Sequence, residues 1–155
     1  MSHRISLIYK TLVPSMALVC LTMPAATAKE TKVRSSKSAQ QIDLTGSYQM
    51  RSGKSSGLLL LKKIAGAKYR FLLNSTWEGE NPGQVNTGES AGIINCKNGT
   101  ASHQEEGFKL FFNFKKGVCE IKCDNPQAFG GINVNPEGSY RLSSNKEPSE
   151  AEFME

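Results

Sequence analysis

The chain has 155 residues, 38% hydrophobic and 21% charged, with 19 Lys+Arg against 14 Asp+Glu for a formal net charge of +5. That length supports one domain, large enough for a proper core. The first 28 residues hold two of the basic residues and none of the acidic ones, so the remainder carries only +3 (17 minus 14). So small a surplus argues against nucleic acid as a partner.

In chain order, residues 1–28 read as an export signal. Arg4 and Lys10 supply a positive start, residues 12–23 are apolar apart from Pro14, Ser15 and Thr22, and Ala26-Thr27-Ala28 is a small-x-small cleavage site. The apolar stretch is too short to span a bilayer stably. No transmembrane segment is therefore expected after cleavage, and the protein is expected in the periplasm or secreted. The small signal and its Ala-rich cleavage region have a bacterial character. Residues 29–43 form a basic arm, with Lys29, Lys32, Arg34 and Lys37 against Glu30. Polar and poor in apolar residues, it is expected to be disordered: a solvated linker or, alternatively, a contact for anionic lipid or wall polymer.

Beyond the arm, helical periodicity is missing. Short apolar runs alternate with Gly, Asn, Ser and Lys turns, an all-β pattern. Eight strands are expected at 44–51, 57–63, 68–75, 89–96, 100–104, 108–115, 118–123 and 138–143. Phe108, Leu110, Phe112 and Phe114 share one face of their strand, with Phe111 the exception on the other. Residues 58–61 are apolar on both faces, which predicts a strand covered on both sides or lying under a terminal arm. Gly46-Ser47-Tyr48 opens the series and Gly138-Ser139-Tyr140 closes it. Chance accounts for such a repeat, and so does pairing of the first and last strands. Closure removes exposed edges. The fold expected for 44–143 is a single small antiparallel up-and-down barrel, or a strongly curled sandwich, of about eight strands.

In such a meander alternate connections share an end. The two long ones, 76–88 and 124–137, then fall together with 52–56 and 105–107, opposite three short turns. Long loops more often carry function. The tail, 144–155, holds Glu147, Glu150, Glu152 and Glu155 against Lys146 and is expected to be disordered.

Candidate chemistry is sparse. Gly88-Glu89-Ser90-Ala91-Gly92 matches the G-x-S-x-G nucleophile pattern, but that elbow needs a strand before it and a helix after it. Here a loop precedes and a strand follows, and His103 is the sole histidine beyond the signal. A turn entering a strand explains the match, and no catalytic residue is assigned. Gly53-Lys54-Ser55 lacks the earlier glycine of a phosphate loop, since Tyr48 stands there. The acceptor patterns at Asn74 and Asn98 matter only in a eukaryotic host.

Cys20 lies in the signal, leaving Cys96, Cys119 and Cys123. With His103 they match no usual zinc spacing, and an oxidising compartment favours a disulfide. No metal or cofactor is expected. Cys119 and Cys123 stand roughly 13 Å apart along a strand, about twice a disulfide's reach. Cys96 with Cys119 requires strong curling, and the pairing stays open.

The same-end loops gather Trp77, Glu78, Glu80, Glu105, Glu106, Asp124 and Phe129, with His103 close by on its strand: an acidic rim with aromatic anchors. Either aromatic serves as a contact residue or folds back to plug the barrel mouth.

Asn86-Thr87-Gly88-Glu89, the Phe-x-Leu-x-Phe-x-Phe run at 108–114, and Phe129-Gly130 followed by Val134 and Gly138-Ser139-Tyr140 carry a resemblance. Over residues 44–142 the chain resembles a broad group of small exported bacterial β-domains, some of them lysozyme-inhibitor-like. That group has cysteines where Phe108 and Gln127 stand here, so its disulfide is lost as a unit. The resemblance implies a β-domain in an exported compartment. With the rim, it leads to a non-catalytic binding protein, either an inhibitor of a lysozyme-type hydrolase or a toxin-neutralising protein, with a basic protein as partner. The alternative is a carrier for a small apolar ligand in the barrel interior. Oligomeric state is left open.

Overall fold

A computed structural model describes residues 42–154; the expected export signal, Cys20 and the basic arm up to residue 41 lie outside the described residues. The strands are β1 (Gly46–Ser52), β2 (Ser55–Ala65), β3 (Lys68–Glu78), β4 (Val85–Asn95), β5 (Thr100–Glu105), β6 (Phe108–Lys115), β7 (Val118–Cys123) and β8 (Gly138–Ser144). One helical turn, α1 (Pro126–Phe129), lies between β7 and β8. The strands form one antiparallel sheet in the order β4-β3-β2-β1-β8-β7-β6-β5, curled into a nearly closed barrel. Among the described residues no helix is long and apolar enough to cross a membrane.

β6 and β7 have the expected bounds. β3 and β4 run longer than expected, because Thr76 pairs with Thr87 and Trp77 with Asn86. The intervening loop therefore shrinks to residues 79–84.

The Gly-Ser-Tyr repeat is one local device used twice, at the starts of two strands that pair with each other. Gly46 and Gly138 have φ of 143° and 153°, a region strained for any residue with a Cβ. Two residues on, each tyrosine ring enters the core. Its hydroxyl donates to the carbonyl four residues back: Tyr48 to Leu44 and Tyr140 to Pro136, each at 2.9 Å. Burial pushes both phenols up to about 12, so they act as neutral donors.

Period-two alternation fills the interior. Phe108, Leu110, Phe112 and Phe114 of β6 are all buried. Phe112 meets Phe71 edge-on at 5.3 Å and stacks over Phe114 at 6.3 Å. Phe111 points outward, with the Lys109 ammonium 5.2 Å from its ring. Cys96, Cys119 and Cys123 are buried free thiols, so no disulfide joins them. Burial raises all three thiols above their ordinary value, which keeps them protonated and unreactive.

The tail departs from the expectation of disorder. It crosses the outer face of β2 and β3 and ends in a short turn of 3-10 helix, Ala151–Phe153. Phe153 is buried against Leu60, an outward leucine of the doubly apolar stretch, and its cross-strand partner Leu72 of β3. Glu150 accepts hydrogen bonds from Lys62 at 2.9 Å and Arg70 at 2.7 Å, and Glu147 pairs with Lys62 at 3.1 Å. One aromatic and two well-placed acids suffice, because the sheet presents a leucine pair and a cation pair as their complement. Of the two covers expected for residues 58–61, a terminal arm is the one observed, over Leu60 and not over Leu58.

The strap should be docked at neutral pH and released in acid. Hydrogen bonding to Lys62, then the nearby Lys62 and Arg70 charges, hold the Glu150 carboxyl below its ordinary value. A lowered docked value favours docking above the ordinary carboxylate range, and that contribution is lost as pH falls from there through the lowered docked value. Lys62 is raised by Glu150 and Glu147, so its contribution persists until strongly alkaline pH. Hydrogen exchange followed from neutral to about pH 3 should show residues 147–153 losing protection while β2 and β3 keep theirs. Simultaneous loss in strap and strands would refute an independently releasable strap.

Candidate functional site

The connections expected at one end do meet there. Gly88, beside the β3–β4 loop, bridges to Gly130 in the β7–β8 connection. Gly131 N–H donates to Thr87 O at 3.3 Å, and the Asn86 side-chain amide donates to Ile132 O at 2.7 Å. The β1–β2 turn joins the group, since Glu78 N–H donates to Lys54 O at 2.9 Å. Asn125 ties in the β5–β6 turn through Gly107 O at 2.9 Å.

The expected contact residues divide into three groups. Glu78 and Glu106 are exposed and make no side-chain hydrogen bond or ion pair among the described residues; Glu80 is exposed and pairs with Lys54 at 3.3 Å. Glu105 and Asp124 are exposed but fasten structure. Glu105 accepts from Ser90 Oγ at 2.6 Å, and Asp124 accepts from Lys109 N–H at 2.7 Å, extending the β6–β7 ladder.

The remaining three are not on an open rim. Phe129 is only 4% exposed and packs edge-on to Phe108 at 5.5 Å. It is a plug, not an anchor, because α1 turns it inward over Gly88, where a Cβ would strike the ring. Trp77 belongs to β3 rather than to a loop, and it is half-buried against the core. His103 lies in the barrel wall, edge-on to Phe71 at 4.9 Å, with its ring in the space that a Cβ on Gly92 would need.

Two exposed residues on the rim were missed from sequence. Ile132 is 79% exposed at the tip of the long connection, and Val85 is exposed at the start of β4. An aliphatic residue within Gly130-Gly131-Ile132-Asn133 has no periodicity to read. The strain at Asn133, with φ of 65°, marks the tight turn that presents it.

The gap in the barrel lies between β4 and β5, which share only the Lys97–Thr100 bridge at their turn. Side chains span the rest. His103 fills the place beside Gly92, and buried Ser90 bonds to Glu105, whose Oε2 lies 3.9 Å from His103 Nε2. Serine, histidine and glutamate thus lie together without the roles of a triad. The Ser90 hydroxyl donates its hydrogen bond to the carboxylate and not to the imidazole, and it stands in mid-strand with no following helix. The arrangement can fasten a seam.

Ser90→Ala should cost about 1–2 kcal/mol of stability through the lost charged hydrogen bond and leave partner binding unchanged. Labelling of Ser90 by a fluorophosphonate probe would contradict this assignment.

No group of three or more His, Cys, Asp and Glu converges as a metal set among the described residues; the three thiols are in the core and His103 is in the seam. At the opposite end a groove of about 700 Å³ is lined by Asp43, Thr45, Lys63, Ile64, Asn145 and Glu147, among others. Comparisons with protein families, with curated proteins and with solved structures return no match to this chain.

Proposed function

We propose that this chain is an exported, non-catalytic binding protein that engages a basic protein through the rim formed by its β3–β4 and β7–β8 connections. A lysozyme-type hydrolase or a toxin is the most concrete partner, in keeping with the resemblance to lysozyme-inhibitor-like β-domains. The observation that carries the reading is the interlock of the β7–β8 connection with the start of β4, next to the β3–β4 loop, through Gly88–Gly130 and Asn86–Ile132. It holds Ile132 and Val85 in the open, with Glu78 the cross-strand partner of Val85 and with Glu80 and Glu106 exposed on connections at the same end. Exposed apolar contacts on an end that also carries acids suit a basic partner: the acids steer the encounter and the apolar pair supplies desolvation. The alternative, a carrier for an apolar ligand, is less well supported, because aromatic side chains occupy the interior.

Binding to a panel of purified lysozymes tests the reading. Glu78→Lys with Glu80→Lys should slow association about tenfold at low salt and much less at high salt. Ile132→Asp should speed dissociation without changing the melting temperature. Trp77→Ala, at the half-buried mouth, should weaken binding with a smaller effect on folding than any loss from the aromatic core. Absence of binding to every lysozyme and basic toxin tried would end the proposal.

A further inference from the structure

The outer face of β2 and β3 is a second surface, on the barrel wall and independent of the rim reading. Cross-strand pairing sets Lys62 beside Arg70 and Leu60 beside Leu72. Leu58 continues the apolar row on β2, and Ile93 of β4 pairs with Arg70. The C-terminal segment covers only the middle of this face. Phe153 fills the slot at Leu60 and Leu72, and the Arg70 guanidinium stacks 4.6 Å from its ring centre. Glu150 bridges both cations, and Glu147 adds to Lys62. Leu58 and Ile93 stay bare, at 36% and 60% exposed.

The contact has the form of peptide recognition: an aromatic in an apolar slot, with paired acids on fixed cations. It is also weakly held. Its acids are mostly exposed, so their ion pairs are modest and screened by salt. A three-residue helical turn, steadied by Glu152 accepting from Ser149 N–H at 2.7 Å, is all that shapes it. What keeps the segment in place is its tether to β8, which makes the association intramolecular. A longer segment of the same chemistry would gain Leu58 and Ile93, which the strap leaves uncovered.

We propose that the outer β2–β3 face is a docking surface for an acidic, phenylalanine-bearing segment of a partner protein, with residues 147–153 as its built-in competitor. Charge complementarity selects the partner segment: two carboxylates three residues apart on Lys62 and Arg70, followed three residues later by an aromatic ring. Docking of such a segment requires release of the strap, so access to the face is set by ionic strength and by anything that weakens the Glu150 contacts.

The test uses the full chain and a fluorescent synthetic peptide with the sequence of residues 146–154. Glu147→Lys with Glu150→Lys repels the strap from the cations, while Phe153→Ala empties the slot without changing charge. Both variants should bind the peptide at least tenfold more tightly than the unaltered chain. Adding Arg70→Glu to either should abolish that gain, and high salt should reduce it. Equal binding to all forms, or to none, would overturn the proposal. So would an unaltered chain that is a dimer and becomes monomeric with Phe153→Ala, because the face would then belong to the strap of a second copy.

Discussion

Phe112→Ala is expected to lower the unfolding free energy by about 3–5 kcal/mol, the range for truncating a fully buried aromatic. Phe112 is 1% exposed at the middle of β6, paired with Ala101 on one side and Ile121 on the other. Its ring touches Phe71 from the opposite wall of the barrel, so truncation opens a void between two walls, where no single strand can collapse to fill it. Phe111, one residue away and 43% exposed, is the internal control. Phe111→Ala should change stability by no more than about 1 kcal/mol. Denaturant unfolding followed through the fluorescence of Trp77, the sole tryptophan, measures both. Equal losses in the two variants would mean that the core is not where the alternation of β6 puts it.

That alternation is also why so much of the fold was legible. A half-buried strand declares its faces through period two, and β7 does so without interruption and β6 with the single exception of Phe111. The closing pair was legible for a different reason. Gly46 and Gly138 each precede a tyrosine by two residues, and the demands of that tyrosine hydroxyl and of the backbone at φ near 150° recur at both strand starts. The sharing of one end by the long connections followed from counting strand passes.

What was not legible depends on contacts between residues far apart in sequence. The turn between β4 and β5 is as short as a hairpin turn, yet a turn sets only where strands start, not how far a ladder runs. Gly92 leaves room for His103, whose ring takes the space beside it that a side chain there would fill. In the tail, average composition hid a pattern. Glu147, Glu150 and Phe153 recur every third residue, but the spacing gains meaning only opposite Lys62, Arg70, Leu60 and Leu72. The same limit explains the rim. Ile132 has no pattern to announce it, and the large aromatics that look like contacts from their sequence neighbours are turned inward by their structural ones.

Phe129→Ala is the second large effect, and it separates a plug from an anchor. Phe129 closes the mouth of the barrel from α1, edge-on to Phe108 and over the backbone of Gly88. Its removal should cost about 3–5 kcal/mol. The loss should also be local in character. The ring presses the β7–β8 connection onto the start of β4, where Gly88 and Gly130 come too close for a Cβ on either. Without it, the Gly88–Gly130 bridge and the Asn86–Ile132 bond have only water-exposed hydrogen bonds to hold them. Residues 124–137 should then become the first site of proteolytic cleavage, while β6 and β7 keep their hydrogen-exchange protection. Partner binding should fall as well, but through loss of the interlocked rim: Phe129→Met, which refills the mouth without the ring, should recover binding and the protection of residues 124–137 together, and a contact residue would not couple the two. A Phe129→Ala protein that melts at the unaltered temperature yet fails to bind would return Phe129 to the list of contact residues and take away the rigid rim on which the proposed function rests.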